Sequence, residues 1–227
     1  MDEQLSRHIR ELIQGISILE QFGVIDFNGH FSCRLETGQI LINSGDSVRS
    51  DLRPSDFTVV AADGRWDRAE YPRPPAELPL HLAVYAARPD VQAVVHGHPK
   101  WSTLLTSSGR DYAAVMPQGA LLGQLEVFPS PRSVSDKETA EAVANVLGSG
   151  PAALLKAHGS VVVAKDVLEA TVMAIYLELN AERQVMAAAL GGCYELSAEE
   201  VLASQQGLSK RALYEKCWNY YCAKYGV

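Results

Sequence analysis

The sequence predicts a mixed α/β fold, arranged either as a three-layer α/β/α sandwich or as an α+β domain. Two observations carry this reading. Helical periodicities and short apolar strands alternate along the chain, with no linker, repeat or low-complexity stretch between them. At 227 residues and 47% hydrophobic composition the chain can build one substantial core. We therefore expect a single domain over residues 1–227.

The first element is a helix. Leu5, Ile9, Leu12, Ile13, Ile16 and Leu19 recur at three- and four-residue spacing, and Gly23 is placed to end the run. Alternation around Phe31 and Cys33 predicts a strand, residues 39–42 a second and residues 57–61 a third, closed by an Asp63-Gly64 turn. Pro72, Pro74 and Pro75 mark an extended loop. Pro79 then sits early in a helix, where its missing N–H costs nothing, and that helix carries Leu82, Val84 and Tyr85 towards Arg88. Residues 91–95, 152–155 and 160–164 read as buried strands. Asp166 with Glu169 and Ser197 with Glu200 are capping-box pairs that open a long helix and a short one. A last amphipathic helix spans roughly 210–221.

Composition excludes several functions. Twenty Lys+Arg against 27 Asp+Glu give a net charge of −7, without the basic clusters of a nucleic-acid or anionic-membrane binder. No apolar run approaches the ~20 residues of a membrane span, and the N-terminus lacks the pattern of a signal peptide. A cytoplasmic location is expected, with Cys33, Cys193, Cys217 and Cys222 as free thiols.

Chemistry concentrates in three of the six histidines. His96-Gly97-His98 follows an apolar strand directly, so the two imidazoles can face one point, and Gly97 gives close access to whatever they bind. His158, also at a strand end and also followed by glycine, is the natural third ligand of an open metal site. The competing reading is three unrelated histidines with ordinary hydrogen bonds. Glu77 opens a helix after Pro75-Ala76, where it serves either as a charge at the cap or as a proton-transfer group beside a metal.

Taken in order, Gly29, Ser32-x-Arg34, Asn43-Ser44-Gly45, Pro75-x-Glu77, His81, Arg88-Pro89-Asp90-Val91, His96-x-His98 and His158-Gly159 resemble the class II aldolase/adducin family over about residues 5–190. The resemblance implies an α/β/α sandwich around a mostly antiparallel sheet, a homotetramer, and active sites between subunits. It also implies a divalent metal on His96, His98 and His158 (Zn2+, with Mn2+ or Co2+ as alternatives) and Glu77 as the acid/base. A tyrosine near the C-terminus, from among Tyr220, Tyr221 and Tyr225, would enter from a neighbour.

Two departures shape the substrate. The sugar-phosphate aldolases of the family carry Gly-Asn and Ser-Ser where this chain has Gly29-His30 and Pro75-Ala76, so phosphate donors are missing. The local wording is similar to the branch that decarboxylates hydroxylated aromatic acids such as dihydroxyphthalates. That resemblance implies a metal-dependent lyase that takes a small carboxylic acid, with His30, Arg34, Ser44, Gly45 and His81 around it. Arg34 has a structural salt bridge as its alternative, and His81 a packed position in the core. The alternative functions are a sugar-phosphate aldolase, epimerase or dehydratase, a decarboxylase of a non-aromatic β-keto acid, and a non-catalytic binding module. On the decarboxylase reading Glu77 protonates the ring carbon that carries the carboxylate, and a desolvated pocket is expected to raise its pKa.

Overall fold

The computed structural model describes residues 3–227. The chain starts with helix α1 (Glu3–Phe22), whose buried stripe is Ile9, Leu12, Ile16 and Leu19. Gly23 ends it in a left-handed conformation at φ +85°. Strands β1 (His30–Arg34), β2 (Ile40–Asn43) and β3 (Phe57–Val60) follow as an antiparallel meander. Helix α2 (Leu78–Ala87) leads to β4 (Ala93–Gly97), α3 (Lys100–Ser107), the two-residue β5 (Val127–Phe128) and α4 (Lys137–Leu147). The hairpin of β6 (Ala152–Leu155) and β7 (Gly159–Ala164) precedes α5 (Val167–Ala189), α6 (Ala198–Leu208) and α7 (Arg211–Tyr225).

The seven strands form one sheet in the order β3-β2-β1-β4-β7-β6-β5. Every pairing is antiparallel except β5 with β6. Side chains of a strand alternate between faces, and the two cores follow that alternation. Phe31, Cys33, Val95, Leu154 and Val162 pack with Leu12, Ile16, Met173 and Leu177 of α1 and α5 on one face. Val94, Ala153, Leu155, Val161 and Val163 pack with Leu80, Val84, Val143 and Leu147 of α2 and α4 on the other. The architecture is thus a three-layer α/β/α sandwich. Strands β4 and β7 are covered on both faces, which is why they read as unbroken apolar runs.

Elements α3, α4 and β5 go beyond the sequence expectation, and α7 runs four residues further than expected. At α5, Asp166 accepts the Glu169 N–H, while at α6 the Ser197–Glu200 box closes in both directions. All four cysteines are free thiols. Among the described residues no helix is long and apolar enough to cross a membrane.

Candidate active site

The sheet brings distant histidines to one edge. His30 opens β1 directly opposite His96 on β4, so both rings project to the α2/α4 face, 4.9 Å apart. His98 follows two residues later, and His158 sits in the β6–β7 turn. Ala157, just before it, is held at φ +52°, an uncommon conformation for a residue with a Cβ. Its N–H donates to Thr106 Oγ1 at 3.0 Å, which ties the turn to α3.

The two glycines beside the histidines are demanded by backbone contact. A Cβ on Gly97 would stand 2.2 Å from the Val24 carbonyl oxygen, and one on Gly159 would stand 2.1 Å from the Gly97 carbonyl oxygen. Gly97 therefore serves the close approach of β4 to the end of α1. This corrects the expectation that it opens access to a ligand.

Glu77 stands at the N-cap of α2 without capping it. Its carboxylate instead crosses to the loop before α4, where Oε1 accepts from Ser133 Oγ (3.0 Å) and the Val134 N–H (2.7 Å). Oε2 lies 3.3 Å from His30 Nε2 and 3.2 Å from His96 Nε2, and Oε1 is 3.8 Å from His158 Nε2. Burial works to raise this carboxyl, but the hydrogen bonds from His30 and the Val134 amide outweigh it and hold it below the usual carboxylate range. The expected raised pKa is thus corrected to an ionised Glu77.

The tautomers of the histidines point to a cation. His96 Nδ1 donates to the Ser160 carbonyl (3.1 Å), and His98 Nδ1 donates to Asp26 Oδ1 (2.9 Å). A neutral imidazole has one N–H, so both Nε2 atoms carry lone pairs, and these face each other at 3.2 Å. Two imidazole nitrogens bound to one zinc at about 2.0–2.1 Å stand about 3.4 Å apart. The ligand atoms of Glu77, His96, His98 and His158 all lie within 4.8 Å of one another. Lone pairs and a carboxylate converging on one point repel unless a positive ion lies between them. The donor set fits a divalent metal.

This group opens into a cavity of about 350 Å³ lined by His30, Gly45, Pro75, Ala76, Glu77, His98 and His158. Asn28, Asp46, Arg49, Arg73 and Ser133 complete its wall.

The class II aldolase and adducin N-terminal domain model matches residues 10–185. The chain belongs to that family. Its relatives in the family differ in reaction. A 3-oxo-tetronate 4-phosphate decarboxylase of Escherichia coli K12 is 34% identical over 148 residues, 63% of this chain and 68% of that protein. A 3,4-dihydroxyphthalate decarboxylase of Terrabacter is 29% identical over 190 residues, 78% and 80% of the two chains. An aldolase II superfamily structure from Pseudomonas syringae shares the class II aldolase fold, with TM-score 0.86 and 19% identity over 99% of this chain and 94% of that one.

Three of the expected substrate residues do not face the cavity. The Arg34 guanidinium donates to the carbonyls of Tyr85 (2.8 Å), Arg88 and Val91 and lies over the Tyr85 ring, so it ties β1 to α2. Among the described residues it forms no salt bridge. Ser44 Oγ is spent on the Arg73 carbonyl (2.9 Å), and His81 is fully buried behind His30. His30 and Gly45 do line the cavity.

The principal residues missing from the sequence reading are Arg49, Asp26 and Ser133. Arg49 is 3% exposed, and its guanidinium donates to the carbonyls of Gly29 (2.7 Å), Ser44 and Ser47. Nothing in its loop sets Arg49 apart from its neighbours Arg53 and Arg65, and only the fold buries it. Asp26-x-Asn28-Gly29 does carry a local signal, an Asp that accepts the N–H groups two and three residues on.

Proposed function

We propose that this chain is a divalent-metal-dependent decarboxylase of a non-phosphorylated hydroxy acid, a hydroxylated aromatic acid of the dihydroxyphthalate kind. The observation that carries this reading is the fate of the family's phosphate donors. Ser44 Oγ and the Gly45 N–H both donate to the Arg73 carbonyl (2.9 and 3.1 Å), and Pro75 has no N–H to offer. The buried Arg49 guanidinium supplies instead one fixed positive group on the cavity wall, suited to a carboxylate.

His96, His98 and His158 would hold the metal, which as a Lewis acid polarises the substrate oxygens it binds. Zinc, manganese and cobalt all suit that ligand set. Glu77, ionised and beside the metal group, accepts the proton of the substrate hydroxyl. It returns that proton to the ring carbon bearing the carboxylate, the C–C bond breaks, and its electron pair restores the aromatic ring as CO2 leaves. A proton from solvent then completes the phenol of the product. Ser133 and the Val134 amide hold Glu77 in place through both transfers.

Glu77→Gln should keep its metal and lose about 10²–10⁴-fold in turnover. Near-normal turnover in that variant would remove Glu77 from the proton transfer. A second reading, decarboxylation of a phosphorylated 3-oxo acid, is favoured by Arg73, exposed on the same wall as Arg49. The two separate by CO2 release from 3,4-dihydroxyphthalate against 3-oxo-tetronate 4-phosphate. Preference for the phosphorylated acid would overturn the aromatic assignment.

Like its family, the enzyme is proposed to act as a homotetramer with sites between subunits. Tyr221 and Tyr225 stack together, and Tyr221 packs edge-on against Phe22 of α1. Tyr220 lies edge-on to Tyr221 yet is 59% exposed, and we take it as the tyrosine that enters a neighbour's site.

A further inference from the structure

Helix α2 and strand β1 carry polar residues at matching intervals. Four residues of helix rise about 6.0 Å and two residues of antiparallel strand about 6.8 Å, so an i, i+4 stripe can face an i, i+2 stripe rung by rung. Here Glu77, His81 and Tyr85 face His30, Ser32 and Arg34. His30 Nε2 meets Glu77 Oε2 at 3.3 Å, and His30 Nδ1 meets His81 Nε2 at 2.7 Å. Ser32 Oγ meets His81 Nδ1 at 2.6 Å and the Tyr85 hydroxyl at 2.9 Å.

The proton positions along this ladder follow from its end at Glu77. A carboxylate only accepts, so His30 Nε2 carries the N–H. His30 Nδ1 is then an acceptor and must receive the His81 Nε2–H. His81 Nδ1 in turn accepts from Ser32, whose oxygen accepts from Tyr85. Every donor points towards the cavity. His30, Ser32, His81 and Tyr85 are each 4% exposed or less, and the Arg34 guanidinium covers the Tyr85 ring at 4.7 Å. The ladder therefore ends in the interior, where it can orient groups but cannot draw protons from solvent.

We propose that His81 is a positioning residue which, backed by Ser32 and Tyr85 and at 2.7 Å the closer of the two partners of His30 (Glu77 Oε2 stands at 3.3 Å), locks His30 as the Nε2–H tautomer and so keeps a fixed donor on Glu77. That donor fixes Glu77 Oε2, the group proposed to move the proton. Only the use made of Glu77 rests on the decarboxylase reading, because the tautomer itself needs no substrate.

The test is long-range ¹H–¹⁵N correlation of histidine-labelled full-length protein, with the His30 signals assigned by their loss in His30→Gln. The wild type should show a protonated Nε2 and a bare Nδ1. His81→Leu should give mixed His30 tautomers, and His81→Gln, whose amide can donate in the same place, should restore the wild-type pattern. Ser32→Ala probes the same lock one step back if the leucine variant does not fold. An Nδ1–H tautomer in the wild type overturns the proposal. So does a His30 pattern unchanged in both His81→Leu and Ser32→Ala.

Discussion

Asp26 aims one of the proposed metal ligands, His98. Its Oδ1 accepts from His98 Nδ1 and from the Asn28 and Gly29 amides, each at 2.9 Å. Burial opposes its ionisation, but these hydrogen bonds outweigh it and lower its pKa, so it stays a carboxylate that fixes the His98 tautomer. Asp26→Ala should weaken zinc affinity about 10–100-fold while leaving the fold intact, measured by competition with a chromophoric chelator. The same scale shows what the sequence makes legible. The His-x-His pattern and the paired His-Gly contexts identify three side chains that do converge, and Glu77 after Pro75-Ala76 is the fourth. Arg34 misleads because a basic residue in a motif looks like an anion contact, whereas its guanidinium is consumed by three carbonyls. Arg49 is invisible because its burial comes from a loop folding over it.

Helix α3 illustrates the limit at the level of elements. It begins after Pro99, which offers no side-chain cap, and Glu178 of α5 takes that role from 77 residues away by accepting the Trp101 and Ser102 amides. No local signal could announce such a helix. Replacing Glu178 by Leu leaves two amides without an acceptor and should cost about 1–3 kcal/mol, read from urea unfolding. Helix α4 is different. Asp136 caps it through Thr139, Ala140, Val143, Ala144 and Leu147 form its apolar face, and Gly148 ends it at φ +53°, all of which is legible locally. The strands were readable where both faces are apolar, as in β4 and β7. The two-residue β5 exists only because β6 is there to pair with it.

For the molecule as a whole, the buried histidines couple stability to pH. Burial pushes the His30 pKa down to about 4 and that of His81 well below its ordinary value, so both are neutral in the folded chain. The unfolded chain protonates them near pH 6.5. It therefore binds more protons as pH falls, and the stability these groups contribute, complete above about pH 6.5, is lost as pH drops through about 4. Urea midpoints of metal-free protein should decline across that window, and less so in a His30→Gln, His81→Gln double variant.

The placement of the metal group also decides when in folding it can exist. His98 and His158 are 60 positions apart in the chain, and β4 and β7 must pair before their rings meet. An unfolded chain therefore presents only the His96-x-His98 pair to the ion, without its third ligand, unlike a small finger whose ligands all lie close in sequence. Adding zinc during refolding should leave the refolding rate unchanged and lower only the unfolding rate. Bound metal would then certify that the sheet has closed, and metal content per chain would measure the correctly folded fraction of a preparation.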